Sequence, residues 1–255
     1  MTRRPLATTG VALAAVLGLA LTGCADRPGA GASAAPSVRA TAAKPAADAA
    51  GELTAAIGRL NEQSMRIKLE SAVLTASGVA DPPARTMQAT LTMAAFGEVS
   101  TLVIGADTWV RFDGALGERL SGGSKKWLHM ATGTGVMPVD DPGGVKKLLS
   151  AVVEVRHAGD RSYAGTLDYT RAGVDARSLA GAGDKAKALP FTAAVDAEGR
   201  LTRFEMDMTP INATLGRMTA SYSDFGAQVR LSRPAAADTE EAPPAIAQAF
   251  SGAGS

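Results

Sequence analysis

Apolar and polar residues alternate one by one along several short stretches of this chain, beginning at Met65. Residues 65–70 read Met-Arg-Ile-Lys-Leu-Glu, and residues 87–93 read Met-Gln-Ala-Thr-Leu-Thr-Met. A period of two is typical of a strand with one buried face, because successive side chains of a strand point to opposite faces. The pattern therefore predicts a β-sheet that is apolar on one side.

The same pattern recurs along the chain and gives nine strands. The predicted strands span residues 65–69, 87–93, 98–104, 108–112, 126–130, 163–169, 191–196, 201–208 and 218–229. Helices are predicted over 49–63 and over 141–152, with Asp141 as the cap and Pro142 at the first position, and 172–187 is helical or irregular. Because tight turns join antiparallel neighbours, we predict an α+β fold. It is a curved, mainly antiparallel sheet (a half-barrel) with helices packed on its concave face around a hydrophobic cavity.

The first residues have the parts of a secretory signal peptide. Arg3 and Arg4 precede an uncharged run over residues 6–21, which is shorter than the ~20 apolar residues that span a bilayer comfortably. Leu-Thr-Gly then precedes Cys24, which is the pattern of a lipobox. We predict a lipoprotein signal peptide over 1–23 and a diacylglyceryl anchor on Cys24, which holds the protein on the extracytoplasmic face of the cell membrane. The alternative is an uncleaved membrane anchor with an incidental cysteine.

Composition divides the rest of the chain into three parts. Residues 24–47 are rich in Pro, Gly, Ala and Ser without periodicity, which predicts a lipidated N-terminus followed by a disordered tether. Residues 48–233 carry the alternating stretches and form the predicted folded domain. Residues 234–255 are again rich in Ala and Pro, so we predict a disordered tail with at most one helical turn over 245–250.

Cysteine count and charge exclude several kinds of site. Cys24 is the only cysteine, so the chain can form neither an intramolecular disulfide nor a thiolate metal site. Removal of residues 1–23 leaves 24 basic against 25 acidic residues, because only Arg3 and Arg4 are lost. A balance this close to neutral gives no electrostatic basis for binding nucleic acid.

The sequence offers no set of residues for catalysis. The two histidines, His129 and His157, lie in separate predicted elements without a cysteine or carboxylate at ligand spacing. No Gly-x-Ser-x-Gly motif is present, and the run Gly-Gly-Ser-Lys-Lys at 122–126 does not lead into a predicted helix, as a phosphate loop would. We therefore expect no enzymatic activity, no metal site and no cofactor.

Six segments follow one another in a recognisable order. They are 105–112 (GADTWVRF), 126–130 (KWLHM), 141–152 (DPGGVKKLLSAV), 163–168 (YAGTLD), 189–201 (LPFTAAVDAEGRL) and 222–226 (YSDFG). Behind the lipobox, they resemble the LppX/LprG-type lipoproteins of actinobacteria (LppX, LprA, LprF and LprG), whose fold is related to that of LolA and LolB. The resemblance covers about 50–233. It implies a half-barrel with a cavity for the acyl chains of a lipid or glycolipid, and transport of that lipid within the cell envelope with a possible transporter partner. It implies no catalytic residues.

The residues predicted to line such a cavity come from the alternating strands and from the apolar stripe of the helix over 141–152. They are Met65, Ile67, Leu69, Met87, Leu91, Met93, Leu148, Val152, Phe204, Met206 and Met208. Methionine is prominent among them, and its flexible thioether suits variable acyl chains. Trp109 and Trp127 are predicted to lie at the cavity mouth, where they could stack on a glycan.

Each of these predictions has a plainer alternative. Alternation alone does not distinguish a cavity wall from an ordinary dry core, and the two tryptophans could simply pack within the sheet. With a filled core, the protein would be a non-carrier interaction or sensor module of the envelope.

Overall fold

The structure, a computed structural model, describes residues 46–131, 137–173, 179 and 181–251. The described residues belong to one compact unit, and the fold is that of this unit. The predicted signal peptide, Cys24 and the tether as far as residue 45 lie outside the described residues and stay predictions.

Twelve strands form one sheet. They are β1 Met65–Glu70, β2 Leu74–Asp81, β3 Thr86–Met93, β4 Gly97–Ile104, β5 Asp107–Asp113, β6 Trp127–Met130, β7 Val152–Gly159, β8 Ser162–Leu167, β9 Leu189–Val195, β10 Leu201–Asp207, β11 Arg217–Ser223 and β12 Thr239–Glu241. Their order across the sheet is β12-β6-β5-β4-β3-β2-β1-β11-β10-β9-β8-β7. All neighbours are antiparallel except β12 and β6, which are parallel.

Helices are few and short. Within the described residues they are α1 Ala46–Gly58, α2 Ala115–Ser121, α3 Val145–Leu148 and α4 Pro244–Ser251, with 3-10 segments at Arg59–Asn61, Leu149–Ala151, Tyr169–Arg171, Gly183–Lys187 and Ala236–Asp238. α1 and α3 contribute buried residues to the same apolar cluster as the sheet. An open, curved, mainly antiparallel sheet with a few helices is the α+β class that the alternation predicted, and the fold class is confirmed.

Three strands, β2, β7 and β12, and the helix α2 were not predicted. β2 has only small residues at three of its alternate positions, Ala76, Gly78 and Ala80, so its period of two has little apolar contrast. β7 begins at Val152, inside the predicted helix over 141–152. α2 follows a glycine with positive φ, Gly114, and has no apolar stripe long enough to signal a helix.

The predicted helix over 141–152 is shorter in the structure. α3 has only four residues, and Gly143 and Gly144, both with positive φ, break the helical path after Pro142. Asp141 still caps the helix, because its carboxylate accepts hydrogen bonds from the backbone N–H groups of Lys146 and Lys147 at 2.8 and 2.9 Å. Pro142 is therefore not the first helical residue.

The prediction of a disordered tail from residue 234 is contradicted by β12, whereas the helical turn allowed over 245–250 lies within α4. β12 pairs with β6, so that Thr239 faces Trp127 and Glu241 faces His129. The backbone N–H of Ala242 continues this pairing with a 2.9 Å hydrogen bond to the carbonyl of His129. α4 follows and buries Ile246. Backbone pairing needs no apolar side chains, and for this reason the Ala-, Pro- and Glu-rich composition concealed the strand.

Candidate functional site

One face of the sheet is apolar across its width, because the strand registers align apolar residues. Met65 faces Ala80, Ala80 faces Met87, and Met87 faces Val103 on successive strands. Residues that pair directly in antiparallel strands point to the same side. We call this side, on which α1 and α3 pack, the inward face. The residues predicted from the alternation of β1, β3 and β10 lie on it, as the sequence indicated.

A large packed cluster, the α1 cluster, covers the part of the inward face formed by β1 and β7–β11, and it also includes Ala80, Met87 and Val103 at one end of β2, β3 and β4. Leu53 and Ile57 of α1 are almost fully buried in it, and the rings of Phe191 and Phe204 stack with centroids 5.2 Å apart. Six predicted lining residues are buried members: Met65, Ile67, Met87, Phe204, Met206 and Met208. Three more, Leu69, Leu148 and Val152, pack against it while half-buried. Here the predicted cavity wall is a packed core.

A buried tyrosine fastens α3 over this cluster. The hydroxyl of Tyr222 donates a 2.8 Å hydrogen bond to the carbonyl of Pro142, and a side chain on Gly143 would collide with that hydroxyl. Burial raises the pKa of Tyr222, so it stays protonated and keeps donating. Burial likewise raises the pKa of Asp141, although its hydrogen bonds from the α3 backbone oppose the shift.

A second polar group of contacts holds α1 to the edge of the sheet. Tyr163 of β8 donates a 2.9 Å hydrogen bond to Glu52 Oε2, and burial, reinforced by that carboxylate, raises the pKa of Tyr163 to about 12. The ring of His157 lies 5.2 Å from that of Tyr163, and its Nε2 is 3.6 Å from Glu52 Oε2. This Nε2 is buried without a hydrogen bond. The arrangement orients α1 but leaves no nucleophile aimed at open space.

A smaller cluster, the β6 cluster, lies on the inward face at the other side of the sheet. Its buried members are Val99, Val110, Phe112, Leu128, Met130 and Ile246. The predicted residues Leu91 and Met93 pack against it while half-buried. Ile246 comes from α4, so the C-terminal helix forms part of this wall. Sequence reasoning missed Ile246, and the apolar pair Ile246 and Phe250 was the only signal for it.

Small side chains lie between the two clusters. Ala76 and Gly78 of β2, Ala89 of β3 and Thr101 of β4 belong to neither cluster, and the register aligns Gly78, Ala89 and Thr101 in one row. We call these four residues the small-residue strip. Beside it, the hydroxyl of Thr108 is buried without a hydrogen-bond partner. Gly78 also has a local reason to be glycine, because a Cβ there would lie 2.3 Å from the carbonyl oxygen of Gln88.

Two apolar cavities can be compared with the predicted hydrophobic cavity. One, under α3, is lined by Leu69, Leu148, Phe204 and Met206 among others, and its volume of about 20 Å³ has room for about one water molecule. The other is a groove of about 420 Å³ between α1 and β7, within the size range of ligand sites. Val152 is the only predicted lining residue in the groove.

Trp109 and Trp127 lie on the opposite, outward face of the sheet. The inward residues of β5 and β6 pair as Val110 with Leu128, whereas Trp109 pairs with His129. The guanidinium of Arg233 lies 5.8 Å from the Trp109 ring, and that of Arg111 lies 4.8 Å from the Trp127 ring. This corrects the prediction that the two tryptophans stand at the mouth of an inward cavity, and supports their alternative role in packing.

His129 joins the C-terminal strand to the outward face. Its Nε2 lies 2.9 Å from Asp107 Oδ1, and its Nδ1 lies 3.0 Å from Glu241 Oε1 on β12. The hydrogen bonds to Glu241 and Asp107 raise the pKa of His129, because both carboxylates favour the imidazolium. Arg233 adds a 2.7 Å ion pair to Asp107 Oδ2. The group acts as a fastening between β5, β6 and β12.

Among the described residues, no group of three or more His, Cys, Asp or Glu side chains could hold a metal ion. In the same part of the chain, no helix is both long enough and apolar enough to cross a membrane.

Known proteins match this chain in structure and not in sequence. No model of a protein family matches the chain, and no curated protein matches it either. Among solved structures, the chain is similar to the lipoprotein LppX of Mycobacterium tuberculosis. The two share 14% sequence identity and a TM-score of 0.45, and the alignment covers 73% of this chain and 99% of the LppX chain.

Proposed function

We propose that the protein is a membrane-anchored extracytoplasmic lipoprotein that binds the acyl chains of a lipid or glycolipid and carries that lipid within the cell envelope. The binding site is the part of the inward face between the α1 cluster and the β6 cluster, with the small-residue strip as its floor. Cys24 carries the anchor, and an envelope transporter is a possible partner.

The observation that carries this proposal is the small-residue strip itself. Helix α1 covers large side chains on one side of it, and α4 contributes to the cluster on the other side. Ala76 and Ala89 are buried and, like Gly78, extend little from the backbone, so an acyl chain bound over them would lie close to the sheet. Each methylene buried there contributes ~0.8 kcal/mol, so a long chain binds without a charged partner. The unpaired hydroxyl of Thr108 could hydrogen-bond a polar atom of the ligand.

Bound lipid is tested most directly in a chain without its anchor. The Cys24→Ser chain has no covalent lipid, so lipid extracted from it after export is held by the fold. We expect mass spectrometry to find a stoichiometric lipid in this chain. Ala89→Leu places a larger side chain on the strip and should lower the lipid content at least severalfold. Gln88→Leu is the matched control, because Gln88 immediately precedes Ala89 in β3 and points outward.

The anchor needs a separate test. Metabolic labelling with a fatty acid should modify the wild-type chain and leave the Cys24→Ser chain unlabelled. If the wild-type chain is labelled but the Cys24→Ser chain holds no lipid, the proposed membrane location stands and the proposed carrier function is wrong.

A non-carrier interaction or sensor module is the second candidate, and one observation favours it. Nine of the eleven predicted lining residues belong to or pack against the α1 cluster, where the cavity under α3 measures only about 20 Å³. If the Cys24→Ser chain is free of lipid and fails to bind a fluorescent fatty acid, this candidate replaces the first.

A further inference from the structure

The sheet has two ends at which its turns lie. The proximal rim is formed by the turns at 71–73, 94–96 and 208–216, by α2 and by the start of β7. The distal rim is formed by the turns at 82–85, 105–106, 160–161 and 196–200.

Helix α1 begins at the proximal rim. Ala50 and Leu53, in its first half, line the groove together with Val152, the first residue of β7. After the last turn of the helix, Arg59 donates a 2.9 Å hydrogen bond to the carbonyl of Gly199 in a distal turn. The chain that precedes α1, and with it Cys24, is therefore joined to the fold at the proximal rim.

Exposed large apolar side chains are confined to this rim. Among the described residues there are four: Val73 is 37% exposed, Phe96 50%, Leu120 44% and Val153 60%. Val73 and Phe96 lie in the β1–β2 and β3–β4 turns, and Val153 lies at the start of β7. The backbone N–H of Leu116 donates a 2.8 Å hydrogen bond to the Phe96 carbonyl, which places α2 and its Leu120 beside that turn. All four therefore lie at the same end of the strands, although Val153 is on the edge strand β7, several strands from the turns that carry Val73 and Phe96. Exposed apolar side chains at one end of a fold can form a contact surface.

The described turns of the distal rim have a different composition. They consist of Pro, Ala, Gly and charged residues, such as Pro83, Ala84, Asp160 and Glu198, and none of them carries an exposed large apolar side chain. Among the described residues, exposed large apolar side chains therefore occur at the proximal rim and not in the turns of the distal rim.

The groove between α1 and β7 opens at the proximal rim as well. Leu53, Leu149, Val152 and Val153 supply most of its apolar wall, and Val153 is at once a wall residue and the most exposed apolar residue of the rim. An apolar ligand that leaves a surface in contact with the rim would meet this groove first.

Charges on the rim do not favour a polyanionic partner. Glu118 precedes Arg119 on α2. On α3, which leads into β7 at the rim, Lys146 and Lys147 are exposed, but Asp140 lies 3.8 Å from Lys146. A contact made by this surface therefore depends on its apolar side chains and changes little with salt.

We infer that the proximal rim contacts the surface of the lipid bilayer. Val73, Phe96, Leu120 and Val153 insert at the boundary between headgroups and acyl chains, and the groove between α1 and β7 faces the membrane. This inference rests on the proposed function for the anchor at Cys24. It adds an orientation to that function: the fold meets the membrane with the end at which the anchored chain joins it.

The experiment compares the two rims in the full-length chain, lipidated at Cys24 and reconstituted in phosphatidylcholine vesicles. An environment-sensitive thiol-reactive dye is attached in Phe96→Cys, at the proximal rim, or in Ala84→Cys, at the distal rim. Lipidation blocks the Cys24 thiol, so the dye reports only the new position. We expect doxyl-labelled phosphatidylcholine to quench the dye at 96 severalfold more than the dye at 84. Equal quenching at both positions, or none at 96, would overturn the inference.

A labelling control separates this inference from the anchor. If the wild-type chain reacts with the dye at Cys24, the anchor is missing, and the proposed function fails at that point.

In that case flotation with the same neutral vesicles still tests the rim. Phe96→Ser combined with Val153→Ser should lower the bound fraction about tenfold, since full burial of one such side chain alone is worth at least about that factor. Ala84→Ser is the control, and equal flotation of all three chains overturns the inference.

Discussion

The inward face of the sheet has two regions that differ in how they are covered. On β1 and β7–β11, and at the distal ends of β3 and β4 (Met87 and Val103), large side chains pack with α1 and α3 into the α1 cluster. On β2–β4, the side chains of the small-residue strip lie outside both clusters. Both regions alternate with the same period of two. The comparison shows that alternation fixes which residues face inward, whereas helix packing fixes which of them become core.

The largest expected effect is the loss of stability caused by a cavity-forming substitution, and this loss should differ between the two regions. Leu53→Ala removes a nearly fully buried side chain of α1, so we expect it to lower the free energy of unfolding by about 3 kcal/mol. Leu91→Ala removes a half-buried side chain near the strip and should cost about 1 kcal/mol. Urea unfolding monitored by circular dichroism measures both. Equal losses would mean that both regions are packed alike.

Removal of the C-terminal segment tests how the far side of the strip is held. A stop codon after Arg233 deletes β12 and α4, and with them the burial of Ile246. We expect a loss of about 2 kcal/mol in unfolding free energy, since one buried isoleucine contributes about that much. Ile246→Ala should reproduce most of this loss. An unchanged unfolding midpoint in the truncated chain would show that the segment does not stabilise the β6 cluster.

Enlarging an alanine should have opposite outcomes in the two regions. Ala193 of β9 is buried in the α1 cluster between Tyr163 and Phe204, so Ala193→Leu should overpack it and cost about 2 kcal/mol. Ala89 is also buried but belongs to neither cluster, so Ala89→Leu should cost less, under about 1 kcal/mol. Thermal unfolding compares the two. A larger cost at Ala89 would show that the strip is already filled.

The smallest expected effect concerns pH and the fastening of β12. The folded pKa of His129 lies above its usual 6.5, so the stability it contributes is fully present below about pH 6.5 and is lost as the pH rises through the folded value. We expect hydrogen exchange of the β12 amides to rise between about pH 6 and about pH 9 by more than the intrinsic rate. His129→Gln should abolish this extra rise while leaving β9 exchange unchanged. The same extra rise in the variant would assign it to another group.

Sequence reasoning succeeded where one face of a strand is buried and the other is wet. Met65, Ile67 and Leu69 alternate with charged residues, and their side was read correctly. It failed at β5, because Trp109 is buried on the outward face while Val110 is buried on the inward face. When both faces of a strand are buried, a period of two does not show which face points inward. It failed at β2 for the opposite reason, since Ala76, Gly78 and Ala80 offer too little apolar contrast.

The sequence by itself determined the strand period, the side on which most apolar residues lie, the α+β class and the single cysteine that could carry an anchor. These follow from local patterns, because neighbouring side chains of a strand alternate wherever the strand lies. Only the tertiary structure decided that α1 covers one region of the inward face, that β12 extends the far edge, and that the exposed apolar side chains gather at one rim. Those features depend on contacts between residues far apart in the chain, such as Arg59 with Gly199 or Glu241 with His129, and no local pattern encodes them.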